Sequence, residues 1–379
     1  MPIKHERERA LVLAAVTGVL DACWAAEGDL SDVAWGWTLR RLDELGLAAR
    51  IWSEAARVGA LSRVPSPSRE RLERRAQETA ASAALFSAAA LGAGAVLDAA
   101  NIAWMPMKGA ALALVAPEYG ATRPAVDVDL IVAPGDLERA RRALGAALPL
   151  LGERRDYDGL ERDADAAMRD GIQHLYAFEG LGGVPIELHH AFPGLTQGDF
   201  TRAVFERAAP AVARGQPVLL PALDDLLGTA CVHAHAVHPG DRAMGLRLLA
   251  DVSELLARGA SAGVACDRYD AVGGLAAVSR TLRDLAQARE EARTRAETPT
   301  RASLAVDPGV GGRLHRWTGA IWARADRTAR VLRTHGIRAI VPPRSFMVGL
   351  YGSAAAGPRL PLLHLRRWGA VVLRTIKGR

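Results

Sequence analysis

The sequence predicts an α+β protein: a small mixed β-sheet flanked by helical regions before and after it. Three observations carry this. Apolar residues recur at helical spacing through most of the first hundred positions. Short apolar or alternating runs then cluster between residues 101 and 198. Helical patterns return from about Asp199. The chain therefore divides into an N-terminal helical region (1–100), an α/β core (101–198), a C-terminal helical region (199–340) and a basic amphipathic tail (341–379).

In the first region, Arg9 to Trp24 and Val33 to Val58 show the 3.6-residue apolar period. Val64-Pro65-Ser66-Pro67-Ser68 is a break, from which Ser66 caps a new helix with Pro67 at its first position. That helix is expected to run towards Asn101. Its part from Thr79 to Leu97 is uncharged and long enough to span a bilayer. It is mostly Ala, Ser and Gly, which gain little in hydrocarbon, so a buried or half-buried helix is expected.

The texture changes at Ile102 to Met107, a short apolar run that leads into Lys108-Gly109 and a helical stretch, Ala110 to Val115. Val126 to Val132 alternates as a strand does, and Leu137 to Leu148 reads as an amphipathic helix. Residues 153–170 are charge-rich and read as irregular. Ile172 to Phe178 and Val184 to His189 read as two strands of a hairpin across Gly180, Gly182 and Gly183. Beyond Asp199 the clearest helices are Leu223 to Val237 and Arg242 to Arg258.

The chain has 379 residues, half of them apolar and 24% charged, so a sizeable core is available. Its net charge of +6 suits an anionic partner: a nucleotide, a nucleic acid or a membrane surface. Lysine occurs only at Lys4, Lys108 and Lys377. The one interior lysine thus lies directly before Gly109, and lysine and arginine are not equivalent phosphate ligands. Three scattered cysteines, Cys23, Cys231 and Cys266, make neither a disulfide framework nor a zinc cluster. With a charged N-terminus lacking signal-peptide character, they point to the cytoplasm.

Asp127 and Asp129 are two apart on an expected strand and so point to one face, while Val128 and Leu130 point to the other. Carboxylates gathered on one face repel unless a cation lies between them. Glu187 has the same setting between Ile186 and Leu188. If the two strands are neighbours, three carboxylates converge, enough for two divalent ions that stabilise an in-line displacement at phosphorus. Upstream, Gly109 permits close backbone approach, the following helix N-terminus offers N–H groups to phosphate, and Lys108 adds a charge.

These segments resemble the DNA polymerase β-like nucleotidyltransferases. Met107-Lys108-Gly109, Arg123 to Val132 with its Asp127-Val128-Asp129, and Ile186-Glu187-Leu188-His189-His190 resemble one bacterial branch, the "uncharacterised nucleotidyltransferase" family. The resemblance covers roughly residues 10 to 260. It implies a palm-like core and an NTP substrate. It also implies Asp127, Asp129 and Glu187 as catalytic and metal-binding carboxylates for Mg²⁺ (Mn²⁺ as a substitute), and Lys108 and Gly109 at the nucleotide phosphates. Arg123 either neutralises the aspartates or joins the nucleotide-binding set. The implied reaction transfers NMP to an acceptor hydroxyl or phosphate on a small molecule, peptide or protein. The wider superfamily has Gly-Ser where this chain has Gly109-Ala110. That departure motivates the alternative of a weak or inactive nucleotide-binding regulatory protein, whose helical regions bind a partner.

Other polar groups receive structural readings. His174, His189 and His190 are read as structural histidines or, in the alternative, as groups that orient a carboxylate or the substrate, and Asp251 as a capping or salt-bridge residue. His233 and His235, two apart on a helix, do not share a face, and with His238 they are not read as a zinc site. The tail, Arg359 to Arg379, mixes Leu, Val and Trp368 with Arg366, Arg367, Arg374 and Lys377. It packs on its own domain or touches an anionic membrane surface. No recognised nucleic-acid module is present, so nucleic acid binding rests on charge alone.

Overall fold

In the computed structural model the described residues are 6–18, 34–151, 174–192, 198–234 and 242–297. The expectations for residues 153–170, for Cys23, His235 and His238, and for the tail lie outside them, as does the His174 side chain. Residues 2–149 and 176–304 belong to one compact unit, to which the following description applies. The architecture is α+β, with helices flanking a small mixed sheet.

The N-terminal helices are α1 (Glu6–Thr17), α2 (Trp35–Leu45), α3 (Ala48–Arg57) and α4 (Ser66–Ala99). The continuous period over Val33 to Val58 is in fact two helices. Gly46, at φ +67°, ends α2 in the left-handed conformation, and the chain restarts at Ala48. Ser66 is the first residue of α4 rather than its cap; its hydroxyl donates to Glu70 Oε1 at 2.8 Å. Helix α4 is long and apolar enough to cross a membrane, but 44% of its apolar window is buried within the protein. Its contact with the sheet is close. The Trp104 indole lies flat against Gly94, where a Cβ would come within 1.9 Å of the ring, and its Nε1 donates to Asp98 at 2.9 Å.

The core elements are β1 (Trp104–Pro106), α5 (Lys108–Val115), the short α6 (Pro117–Gly120), β2 (Val128–Val132), α7 (Leu137–Ala147), β3 (His174–Glu179) and β4 (Pro185–His189). The four strands are ordered β1-β2-β4-β3. β1 is antiparallel to β2, with Met105 opposite Ile131. β2 is parallel to β4, with Val128 opposite Ile186, Asp129 opposite Glu187 and Ile131 opposite His189. Alternation buries Val128, Leu130, Ile186 and Leu188 completely and turns Asp129, Glu187 and His189 the other way. β3 and β4 are joined across Gly180, whose N–H donates to Val184 O at 2.8 Å. The strand expected from Val126 begins only at Val128, so Asp127 precedes it in irregular backbone.

After the core come α8 (Gly198–Arg207), β5 (Ala209–Ala213), β6 (Gln216–Leu220), α9 (Leu223–Val232), α10 (Arg242–Ala257), α11 (Ala262–Asp270) and α12 (Leu275–Glu297). The β5–β6 hairpin corrects the expectation of helix from Asp199 onward. Its turn, Arg214-Gly215, has φ +50° and +81°, the two left-handed residues that match the twist of paired strands. Pro210 and Pro217 disfavour helix in both arms.

Among the described residues, two apolar clusters tie early and late helices together. One joins α1–α4 to Ala250 of α10 and Ala292 of α12. The other joins Met105, Met107, Leu112 and Ile131 of the core to Leu226, Leu227, Val252, Leu255 and Tyr269. The helices before and after the sheet therefore share its packing.

Candidate active site

The site is assembled where β1 turns into α5, beside the edges of β2 and β4. The Met107 N–H donates to Asp129 O at 2.9 Å, holding the turn against β2. Lys108 has φ +47°, a conformation that costs a non-glycine residue on the order of 1 kcal/mol. Its Nζ lies 2.6 Å from Asp129 Oδ1. His189 Nε2 lies 2.7 Å from the same oxygen and 3.6 Å from Glu187 Oε2. Parallel pairing sets the cluster: Asp129 and Glu187 are register partners, and His189 follows Glu187 by two residues on the same face.

The electrostatics divide the two aspartates. Burial pushes the Asp127 carboxyl up, and the charges of Asp129 and Glu187 push it further, to about 6. Burial alone would raise Asp129 too. Lys108 and His189 outweigh it and hold that carboxyl well below the usual range. His189 is shifted in the opposite sense: burial disfavours its cation, but the carboxylates of Asp129 and Glu187 raise its proton affinity.

Arg123 does not pair with either aspartate. Its Nε donates to Asp251 Oδ1 at 2.8 Å and its Nη2 to Asp251 Oδ2 at 3.0 Å. Asp251 is thus the ion-pair partner of a residue 128 positions earlier. Tyr119 Oη also donates to Asp251 Oδ1 at 2.7 Å. Gly109 lies against the same guanidinium: a Cβ there would stand 2.3 Å from Arg123 Nη1. Gly109, Arg123 and Asp127 share the lining of a narrow cleft walled by Ala83, Phe86 and Ala110.

Asp129, Glu187 and His189 bring one ligand atom each to within 4.8 Å of one another. Two carboxylate oxygens and an imidazole nitrogen can hold a divalent ion; the oxygens suit Mg²⁺ or Mn²⁺, whereas the nitrogen suits a transition-metal ion better than Mg²⁺. Beside this set, burial first and then the charges of Asp129 and Glu187 raise the proton affinity of Asp127. The donor set therefore fits a divalent cation. It contains two of the three expected carboxylates and adds His189, which the sequence left between a structural histidine and one that orients a carboxylate. The available signal was its place two residues after Glu187 in one strand. Asp251 was the other functional neighbour whose partner the sequence did not reveal.

Such a sheet, with carboxylates on adjacent parallel strands and a lysine-glycine turn beside them, defines an α+β protein with a candidate divalent-metal site. The chain belongs to the family described as uncharacterised nucleotidyltransferase, whose model matches residues 31–272. The match covers every site residue named above. No curated protein and no solved structure matches the chain.

Proposed function

We propose that this protein is a Mg²⁺-dependent nucleotidyltransferase that moves NMP from an NTP to an acceptor hydroxyl or phosphate. One observation carries the reading: in a chain of this family, Asp129 and Glu187 stand in register on neighbouring parallel strands, with Asp127 two residues upstream. Asp127, Asp129 and Glu187 would hold the metal, which when bound neutralises the triphosphate and polarises the acceptor oxygen.

The acceptor oxygen forms a bond to the α-phosphorus. The bond from that phosphorus to the bridging oxygen breaks, and its electron pair leaves with pyrophosphate. A hydroxyl acceptor gives its proton to a site carboxylate or to water. Lys108 supplies positive charge at the turn, and Gly109 keeps that turn open to the substrate. Positioning and charge stabilisation provide most of the acceleration. We place the reaction in the cytoplasm, on the cysteine pattern alone.

Calorimetry with ATP, GTP, CTP and UTP, with and without Mg²⁺, tests the reading, with Asp127→Ala/Asp129→Ala as the control. Mg²⁺-dependent binding of an NTP, lost in the control, supports it. A folded protein that binds none of the four counts against it.

A second reading, a nucleotide-binding regulatory protein, is favoured by one feature. Lys108 and His189 already satisfy Asp129, so the metal-free site is charge-compensated on that carboxylate. This reading expects NTP binding without pyrophosphate release.

A further inference from the structure

Arg123 and Asp251 form a two-point ion pair, and Arg123 lines the cleft together with Gly109. The Arg123 side chain is 18% exposed and that of Asp251 only 2%. Asp251 takes Nε and Nη2 of the guanidinium, a fork that fixes the plane of the group. Nη1 is left with a long contact to Pro124 O, 3.5 Å, and lies against Gly109. Asp251 is itself anchored. Tyr119 donates to it, and the Arg50 guanidinium of α3 stacks on the Tyr119 ring, 4.8 Å from its centroid. Arg50 is held in turn by Ala15 O at 2.5 Å. Three segments distant in sequence thus converge on the orientation of one guanidinium.

We infer that Asp251 is a positioning residue: it holds Arg123 so that Nη1 donates to a phosphate oxygen of the substrate seated at Gly109. This rests on the nucleotidyltransferase reading and adds to it the residue that aims the phosphate ligand. Glycine at 109 follows from the same arrangement. A side chain there would occupy the space that Nη1 needs.

The pair is neutral as a unit, which makes a sharp test possible. Asp251→Asn leaves the Arg123 charge in place and makes the cleft more positive by one. Charge alone would then bind a polyanion as tightly as before, or more tightly. Orientation predicts the opposite, because the guanidinium loses its charged fork. The probe is inorganic triphosphate with Mg²⁺, titrated calorimetrically into the full chain, so that the unknown base does not matter.

We expect Asp251→Asn and Arg123→Lys each to weaken triphosphate binding about tenfold, the loss of roughly one charge-assisted hydrogen bond. The double variant should be no weaker than either single one, since both remove the same interaction. Asp251→Glu should recover most of the affinity. A folded Asp251→Asn protein that binds triphosphate at least as tightly as wild type overturns the inference, as do additive losses in the double variant. If wild type binds triphosphate and Asp127→Ala/Asp129→Ala abolishes this while Asp251→Asn does not weaken it, the inference alone fails. If wild type binds none, the nucleotidyltransferase reading fails with it.

Discussion

Asp129 on β2 stands directly opposite Glu187 on β4, fifty-eight residues later, and His189 bridges towards both. The two carboxylates nevertheless differ in setting. Asp129 is almost completely buried, with an ammonium and an imidazole on one oxygen, whereas the Glu187 side chain is 21% exposed. The same contrast separates Asp129 from Asp127, and it gives the site different responses to mutation.

Asp129→Asn removes the negative charge from the group that Lys108 and His189 share and leaves the part-buried Lys108 ammonium without its counter-ion. A loss of about 3 kcal/mol is expected, the usual scale for breaking one side of a buried charged pair. Asp127→Asn instead relieves repulsion from Asp129 and Glu187, so it should keep or raise stability. Urea denaturation of the two variants in metal-free buffer separates them. Equal losses of stability would contradict this division of roles.

Divalent ions should stabilise the wild-type protein by mass action, since the ligand set exists only in the folded state. At a free Mg²⁺ or Mn²⁺ concentration a hundredfold above the dissociation constant, the gain is about 2.7 kcal/mol. Thermal unfolding followed with increasing metal should show a rising midpoint, reversed by chelator and missing in Asp127→Ala/Asp129→Ala. A midpoint that rises equally in the control would place the ion elsewhere.

Gly94 is the point at which α4 meets the sheet. A methyl group there would overlap the Trp104 ring, which is 4% exposed and tied to Asp98. Gly94→Ala is expected to destabilise by about 1–3 kcal/mol, the cost of overpacking, despite alanine's better helix propensity. Gly92 has open space at the same position and serves as the control. There the same change should stabilise by several tenths of a kcal/mol, by helix propensity. Melting curves of both variants decide the matter.

Stability should fall in alkaline solution through buried acids. Burial pushes the Cys231 thiol up to about 12 from an ordinary value of 9.0. The folded protein therefore keeps a proton that the unfolded chain releases above pH 9.0, so stability declines as pH rises from there towards 12. The slope from this one group is at most about 1.4 kcal/mol per pH unit. Tyr119 and Tyr269, also raised by burial, act in the same direction at higher pH. Denaturation midpoints across pH 9–10.5 should have a shallower slope in Cys231→Ala than in wild type. Identical slopes would show that the thiol is not protected.

What the sequence determined by itself was local. Period-2 alternation placed Leu130 and Leu188 in the core, and Asp129 and Glu187 on the opposite face of each strand. The Pro-Ser break at Val64 to Ser68 located the start of α4, and the 3.6-residue period located α7 and α10 to within a few residues, because an amphipathic face repeats whatever it packs against. The order Lys108-Gly109, Asp127-Val128-Asp129, Glu187-Leu188-His189 carried the family. Short-range patterns failed where backbone conformation overrides them, at the left-handed Gly46 between α2 and α3 and at the Arg214-Gly215 turn of β5–β6.

Tertiary structure decided everything that depends on register and on long closure. Only the parallel pairing of β2 with β4 brings Asp129 beside Glu187 and makes His189 part of the site, since a one-residue slip would send all of these groups to the other face. Only the packing of α10 against the core shows that Asp251 grips Arg123 and that Gly109 leaves room for the guanidinium. Side-chain pairs separated by 60 or 128 residues leave no periodic trace in the chain, because nothing in the local backbone couples them until the core has formed.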